Sequence, residues 1–161
     1  MRNWHSLAPL PLRIILGMGM MFHGYSKLFS AEGHQGFVGM LTQIGIPASG
    51  IMSWLVGILE FFGGLALVLG AFVSIVSVLL IIDMLVAAFM IHLPSGFNFM
   101  NITGMTADGP TFGMPGYEVS FVYIAGFLAL MLGGAGAYSV DDARAGGAAA
   151  NPLPGTARTA A

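Results

Sequence analysis

Apolar residues run through this chain in long stretches broken by short polar clusters, and the pattern marks out four segments of membrane-spanning length. The first, 12–29, is entered through Pro9 and Pro11. The stretch 51–93 is nearly all apolar; as one helix it would be ~65 Å long, about twice the thickness of a bilayer core. It is therefore expected to fold back on itself, with Gly70 as the breaking point, giving spans 51–69 and 72–93. Pro94 and Gly96 end the third span, and the fourth is expected over 117–138. Between the first two spans lies a segment with Glu32, His34 and several glycines, expected as a loop. A second loop, from Ser95 to Gly116, is long for a plain connector and is expected to cap the helices or contact a partner. After Asp141 and Asp142 the chain turns to Gly, Ala, Pro and Thr, so 143–161 is expected to be a disordered tail. The predicted architecture is an all-α membrane protein: a four-helix up-and-down transmembrane bundle over 12–142, preceded by an N-terminal segment, 1–11.

Composition agrees with the pattern. Of the 161 residues 57% are apolar and 7% charged, whereas a soluble domain carries about a quarter charged residues. Arg2 ahead of an apolar run has the look of a signal-peptide start, but no convincing cleavage site follows, and the first segment is read as a retained span. Arg2, Arg13, Arg144 and Arg158 fall on the side of the termini and only Lys27 on the other, so both termini are expected in the cytoplasm, in a bacterial inner membrane. The few basic residues form no patch, which speaks against nucleic acid. With no cysteine, the chain has no disulfide, no thiol chemistry and no Cys-ligated cluster. No His pair has helical ligand spacing, and no metal site is expected; His23 and His92 are the residue type that ligates haem, with nothing beyond their presence to argue for it.

Candidate chemistry lies where polar residues interrupt the apolar pattern. His23-Gly24-Tyr25-Ser26-Lys27-Leu28-Phe29 sets an imidazole and an ammonium on one face of the first span. Ionisable groups inside a bilayer are costly and face protein or water-filled sites. Counting rise per residue from Gly70 places Glu60 and Asp83 at heights that differ by about 4–5 Å. His23, Glu60 and Asp83 are thus expected in one mid-membrane layer, with Lys27, His92 and Glu118 nearer the outer surface. Ser53, Gly57, Glu60 and Gly64 share a face of the second span, and small residues there turn that face into the bundle. A His23–Glu60 pair is expected, with Lys27 above it. A purely structural use stands beside each of these. Glu60 and His23 would lock helices, Lys27 would snorkel, Asp83 would sit protonated, His92 would lie at the interface and Glu118 would cap a helix.

These pieces, in order, resemble the DoxX family of four-span bacterial membrane proteins. The resemblance runs through Arg13 and Gly17, Phe22-His23-Gly24, Lys27-Leu28-Phe29, Gly45-Ile46-Pro47, Gly57, Glu60, Gly63-Gly64 and Leu69-Gly70. It continues with His92, Gly96-Phe97, Gly116-Tyr117-Glu118, Gly134, Gly136 and Ser139-Val140-Asp141, and so covers 12–142; Asp83 is not part of the pattern. The resemblance implies a membrane subunit of an oxidoreductase system, some members being similar to the small subunit of a thiosulfate:quinone oxidoreductase.

On that reading the cofactor is quinone, which needs an apolar slot and proton donors at its two carbonyls. His23, Lys27 and Glu60 are the candidate catalytic groups that supply or relay protons; Asp83, His92 and Glu118 are the candidate cofactor-binding groups. Electrons would come from a partner redox protein or membrane complex. The other partners are membrane lipid and, in a homo-oligomer, a second copy of the chain. The alternative is a non-catalytic anchor or assembly subunit in which the same residues fix helix packing. A small proton-coupled carrier is a third class, disfavoured by the absence of an internal repeat.

Overall fold

The computed structural model describes residues 4–150. A short helix α1 (Trp4–Leu7) leads into α2 (Pro9–Phe29), whose early prolines fall where a helix has no backbone N–H bonds to lose. Then come α3 (Ala31–Gln43), α4 (Ser49–Leu69) and α5 (Val73–Val86), which continues through a π-helical turn, Ala87–His92, and a 3-10 turn, Leu93–Ser95. A hairpin of β1 (Ile102–Thr106) and β2 (Gly109–Phe112) precedes α6 (Glu118–Gly133), and α7 (Val140–Ala150) follows.

Packing is set by small residues. The helices α2 and α4 lie against each other along their length because glycines on both let the backbones meet. A Cβ on Gly17 would stand 2.6 Å from the Gly64 carbonyl oxygen, and one on Gly24 would stand 2.8 Å from that of Gly57. Helices α5 and α6 also pair, with α4 against α5 and α2 against α6. Met20, Leu67, Val73, Leu80, Phe127 and Leu130 fill the space between them, each essentially inaccessible.

The outward faces are apolar as well. Ile15, Met18 and Phe22 on α2, Ile51, Leu55 and Phe62 on α4, and Ile75, Leu79 and Ile82 on α5 are all exposed. Soluble monomers seldom show so continuous an apolar surface. Ser49–Leu69 and Val73–Ser95 are long and apolar enough to cross a membrane. The protein is thus a mostly helical chain with membrane-capable helices.

The expected turn at Gly70 is present. Gly70 adopts φ 70, and the N–H groups of Gly70 and Ala71 close the end of α4 onto the Leu67 and Ala66 carbonyls. The next helix is started from far along the chain: the Asp141 carboxylate accepts from the backbone N–H groups of Phe72 and Val73, at 2.9 Å each. Arg13, fully buried, donates to the carbonyls of Ala137 and Tyr138 at 3.2 and 3.1 Å.

Four expectations need correction. The chain is not all-α, because Ile102–Thr106 and Gly109–Phe112 pair as an antiparallel hairpin within the second loop. The segment after the first span is the helix α3, capped by the Ser30 hydroxyl accepting from the Gly33 N–H at 3.1 Å. The fourth apolar helix stops at Gly133, since Gly134 (φ 74) cannot continue it; at 16 residues it is about 24 Å long. Finally, α7 runs to Ala150 and takes in the start of the segment expected as a tail, while 151–161 lie outside the described residues.

Candidate functional site

The sequence scatters its ionisable residues over three apolar helices; the fold collects most of them around one cavity. It has a volume of about 340 Å³ and is lined from every side: His23 and Lys27 from α2, Phe37, Met40 and Leu41 from α3, Glu60 from α4, Asp83 and Met84 from α5, His92 from the π turn, and Ser120 and Tyr123 from α6. Pro115 and Met114 of the second loop line it as well. Another cavity, of about 400 Å³, lies by Ser6, Tyr138 and Asp142 and holds none of these groups.

At the centre is an ion pair. The Lys27 ammonium donates to Glu60 Oε2 at 2.6 Å, and lysine and carboxylate are 8% and 4% exposed. A second N–H of Lys27 reaches the His23 carbonyl at 3.2 Å, and the ammonium stands 4.7 Å from the centre of the Phe37 ring. The expected His23–Glu60 pair is therefore replaced by Lys27–Glu60. The reason is geometric: helical side chains lean toward the N-terminus, and the four-carbon stem of Lys27 brings its ammonium back one turn to the level of Glu60. His23 instead presents its ring edge-on to Tyr123, with centroids 6.4 Å apart.

Asp83, like Glu60, lines the cavity. Its Oδ2 is buried and has no hydrogen-bond partner among the described residues. His92 also reaches it, at the end of the π-helical turn, and its Nδ1 lies 2.8 Å from the Pro115 carbonyl. Such turns recur at functional sites because they re-aim the side chains that follow. Glu118 departs from the expectation. It does not line the cavity; its Oε2 accepts from the Phe99 N–H at 3.0 Å, holding the loop against the start of α6. The site therefore gathers His23, Lys27, Glu60, Asp83 and His92, and leaves Glu118 outside.

Sequence reasoning missed α3 as a wall. Its apolar residues Phe37, Met40 and Leu41, with Ile44 just past its end, follow helical spacing and face the cavity, but Gly33, Gly36 and Gly39 disguise the helix. His34 fastens it: Nδ1 lies 3.1 Å from both the Lys27 carbonyl and the Ser53 hydroxyl, and the ring stacks on Trp54 with centroids 4.6 Å apart. Tyr123 was also missed, since a lone tyrosine in an apolar helix carries no sequence signal of its own. Its hydroxyl has room because the facing residue is Gly19, where any Cβ would collide with it.

The polar residues collected here are largely those of the ordered motif set. The DoxX family model matches residues 8–93, more than half of the chain, including α2, α3, α4 and the helix that carries Asp83 and His92. The motif pieces from Gly96 onward lie beyond that match. No curated protein and no solved structure matches the chain. From the family match and its apolar, glycine-packed helices, the chain belongs to the DoxX family of membrane proteins.

Proposed function

We propose that this chain is an integral membrane subunit of an oxidoreductase complex that binds quinone in the cavity around Lys27 and Glu60. In this reading α2, α4, α5 with its extension, and α6 form an up-and-down four-helix bundle across the bacterial inner membrane, with both termini in the cytoplasm. The observation that carries the proposal is the cavity itself: about 340 Å³, walled mostly by apolar side chains, with a few polar groups converging on it. That is the usual form of a small-molecule site, and its size falls at the lower end of the usual range.

The residues fit a quinone head group. Phe37, Met40, Met84 and Val119 offer flat and adaptable apolar contact. Bound there, quinone would supply two-electron redox chemistry. Lys27 and Glu60, both buried, hold an exchangeable proton between them, and Asp83 adds a second carboxyl. His23 and His92 stand at the wall and relay protons to and from that pair. Electrons come from a partner redox protein, since the chain has no cysteine with which to hold a cluster.

The test is mass spectrometry of the protein extracted in native lipid discs, beside the Glu60→Gln variant. Stoichiometric quinone in the native protein, lost in a variant that still folds and assembles, supports the reading; a quinone-free native protein overturns it. The buried Lys27–Glu60 pair also joins α2 to α4, which favours the second reading, a non-catalytic anchor. An anchor predicts that Glu60→Gln loses partner retention together with any activity, and that no quinone is found.

A further inference from the structure

The hairpin of the second loop has two unlike faces. Residues opposite one another on antiparallel strands share a face, and neighbours along a strand alternate. The pairs Ile102–Phe112 and Met105–Pro110 therefore lie on one face, which is wholly apolar. Thr111 lies on the other with Thr103, their hydroxyl oxygens 3.4 Å apart, and Thr106, opposite Gly109, joins them. Neither face packs on the protein: every strand residue except Gly109 is exposed, Met105 by 75%. A two-stranded hairpin is marginal in water and gains stability by laying an apolar face on something.

Its place is fixed by its base. The Tyr117 and Glu118 N–H groups donate to the Gly96 and Phe97 carbonyls at 3.1 and 3.0 Å, and the Gly113 N–H donates to the Asn101 carbonyl at 2.8 Å. The hairpin is thus held where the membrane-capable helix Val73–Ser95 ends and α6 begins. The apolar surface of those helices runs on into the loop. Phe89, exposed on the extension of α5, meets Phe121 of α6; Phe121 meets Tyr117, and Tyr117 meets the exposed Phe97, with centroids 6.5, 5.5 and 5.4 Å apart. Asp108, in the turn, is the single charged residue between Ser95 and Gly116, and the strands have no Arg, Tyr or Trp to anchor a protein interface. We propose that the partner of the apolar face is membrane lipid. The hairpin lies along the interface at this end of the helices, its apolar face on the acyl chains and its threonines toward water. The unpaired outer edges of the two strands keep it out of the hydrocarbon core. Phe99 and Met114, on either side of the hairpin, line the cavity, so the segment that meets lipid is also a wall of the site. The inference rests on the membrane setting of the helices and needs no quinone.

The experiment uses nitroxide labels on single cysteines, which are unambiguous because the chain has none of its own. Met105→Cys and Thr106→Cys are compared with Ile82→Cys, on the exposed apolar face of α5. Each labelled protein is placed in lipid nanodiscs, and collisions with oxygen, which partitions into lipid, and with a water-soluble nickel chelate are read by power-saturation spectroscopy. All three side chains are exposed, so the changes remove little packing. The expected result is that the label at 105 behaves as that at 82, with oxygen contact exceeding nickel contact several-fold, while the label at 106 shows the reverse. Adjacent positions are used because tilt of the whole loop cannot separate them. Nickel contact at both 105 and 106, with 82 in lipid, overturns the inference. A label at 105 shielded from both probes means that a protein or a second copy covers the face, and overturns it as well. Nickel contact at all three positions overturns the membrane setting together with the inference.

Discussion

The two ends of the α2–α4 pair each bury a cation, and they use it in opposite ways. At one end Arg13 is closed in by backbone: it donates to the Ala137 and Tyr138 carbonyls, and Gly70 packs so closely that any side chain there would collide with its guanidinium. Asp141 sits nearby, but its carboxylate is committed to the N–H groups that start α5. Two guanidinium nitrogens, Nε and Nη1, find no partner among the described residues. At the other end Lys27 is matched by a side chain, Glu60, beside an open volume into which Asp83 and His92 also project. Burial of charge alone therefore does not mark a site. A fork held by backbone carbonyls ties segments together, whereas an ammonium paired with a carboxylate beside a cavity is placed where the proposed ligand would bind.

The sharpest way to break this contrast is to remove each cation. Lys27→Met strands the Glu60 carboxylate in the interior and should cost about 3–5 kcal/mol in unfolding free energy, with loss of the proposed quinone binding. Adding Glu60→Met should restore most of the stability and none of the binding; recovered binding would show that the pair is only a lock. Arg13→Met should also destabilise, by about 1–3 kcal/mol, through its unpaired carbonyls, yet leave the proposed quinone binding of the folded fraction at the native level. Reversible unfolding in detergent, followed by ligand titration, reads both quantities. A smaller effect is expected of Asp141→Ala, which leaves the start of α5 uncapped and should cost about 0.5–2 kcal/mol without touching the cavity.

The smallest effect concerns the wall rather than the charges. A Cβ on Gly36 or Gly39 of α3 would meet nothing within 4 Å. Each Gly→Ala change should therefore stabilise the helix by about 0.5–1 kcal/mol and slow, rather than abolish, ligand exchange beneath it. Unchanged exchange kinetics in the double variant would mean that α3 does not move as ligand passes.

Much of this was legible beforehand. The long apolar runs and the break at Gly70 are local properties, and they declared membrane-capable helices. Rise per residue alone gave the expectation that Glu60 and Asp83 lie near one another, and both line the cavity. What could not be read was rotation and reach. Glu60 met Lys27 rather than His23 because side-chain lean and stem length, not helix level, decide which groups touch. His92 reached the cavity by way of a π turn that no residue pattern announces, and Glu118 turned to the Phe99 N–H instead. The glycines of α3 hid a helix whose existence depends on Ser30 and on packing against α2 and α4. By itself, then, the sequence determined the solvent this protein needs and which of its apolar segments carry polar residues, since hydropathy belongs to single segments. Only the tertiary structure decided that those residues surround one cavity and which of their donors are already engaged, because pairing depends on how separate helices turn toward one another.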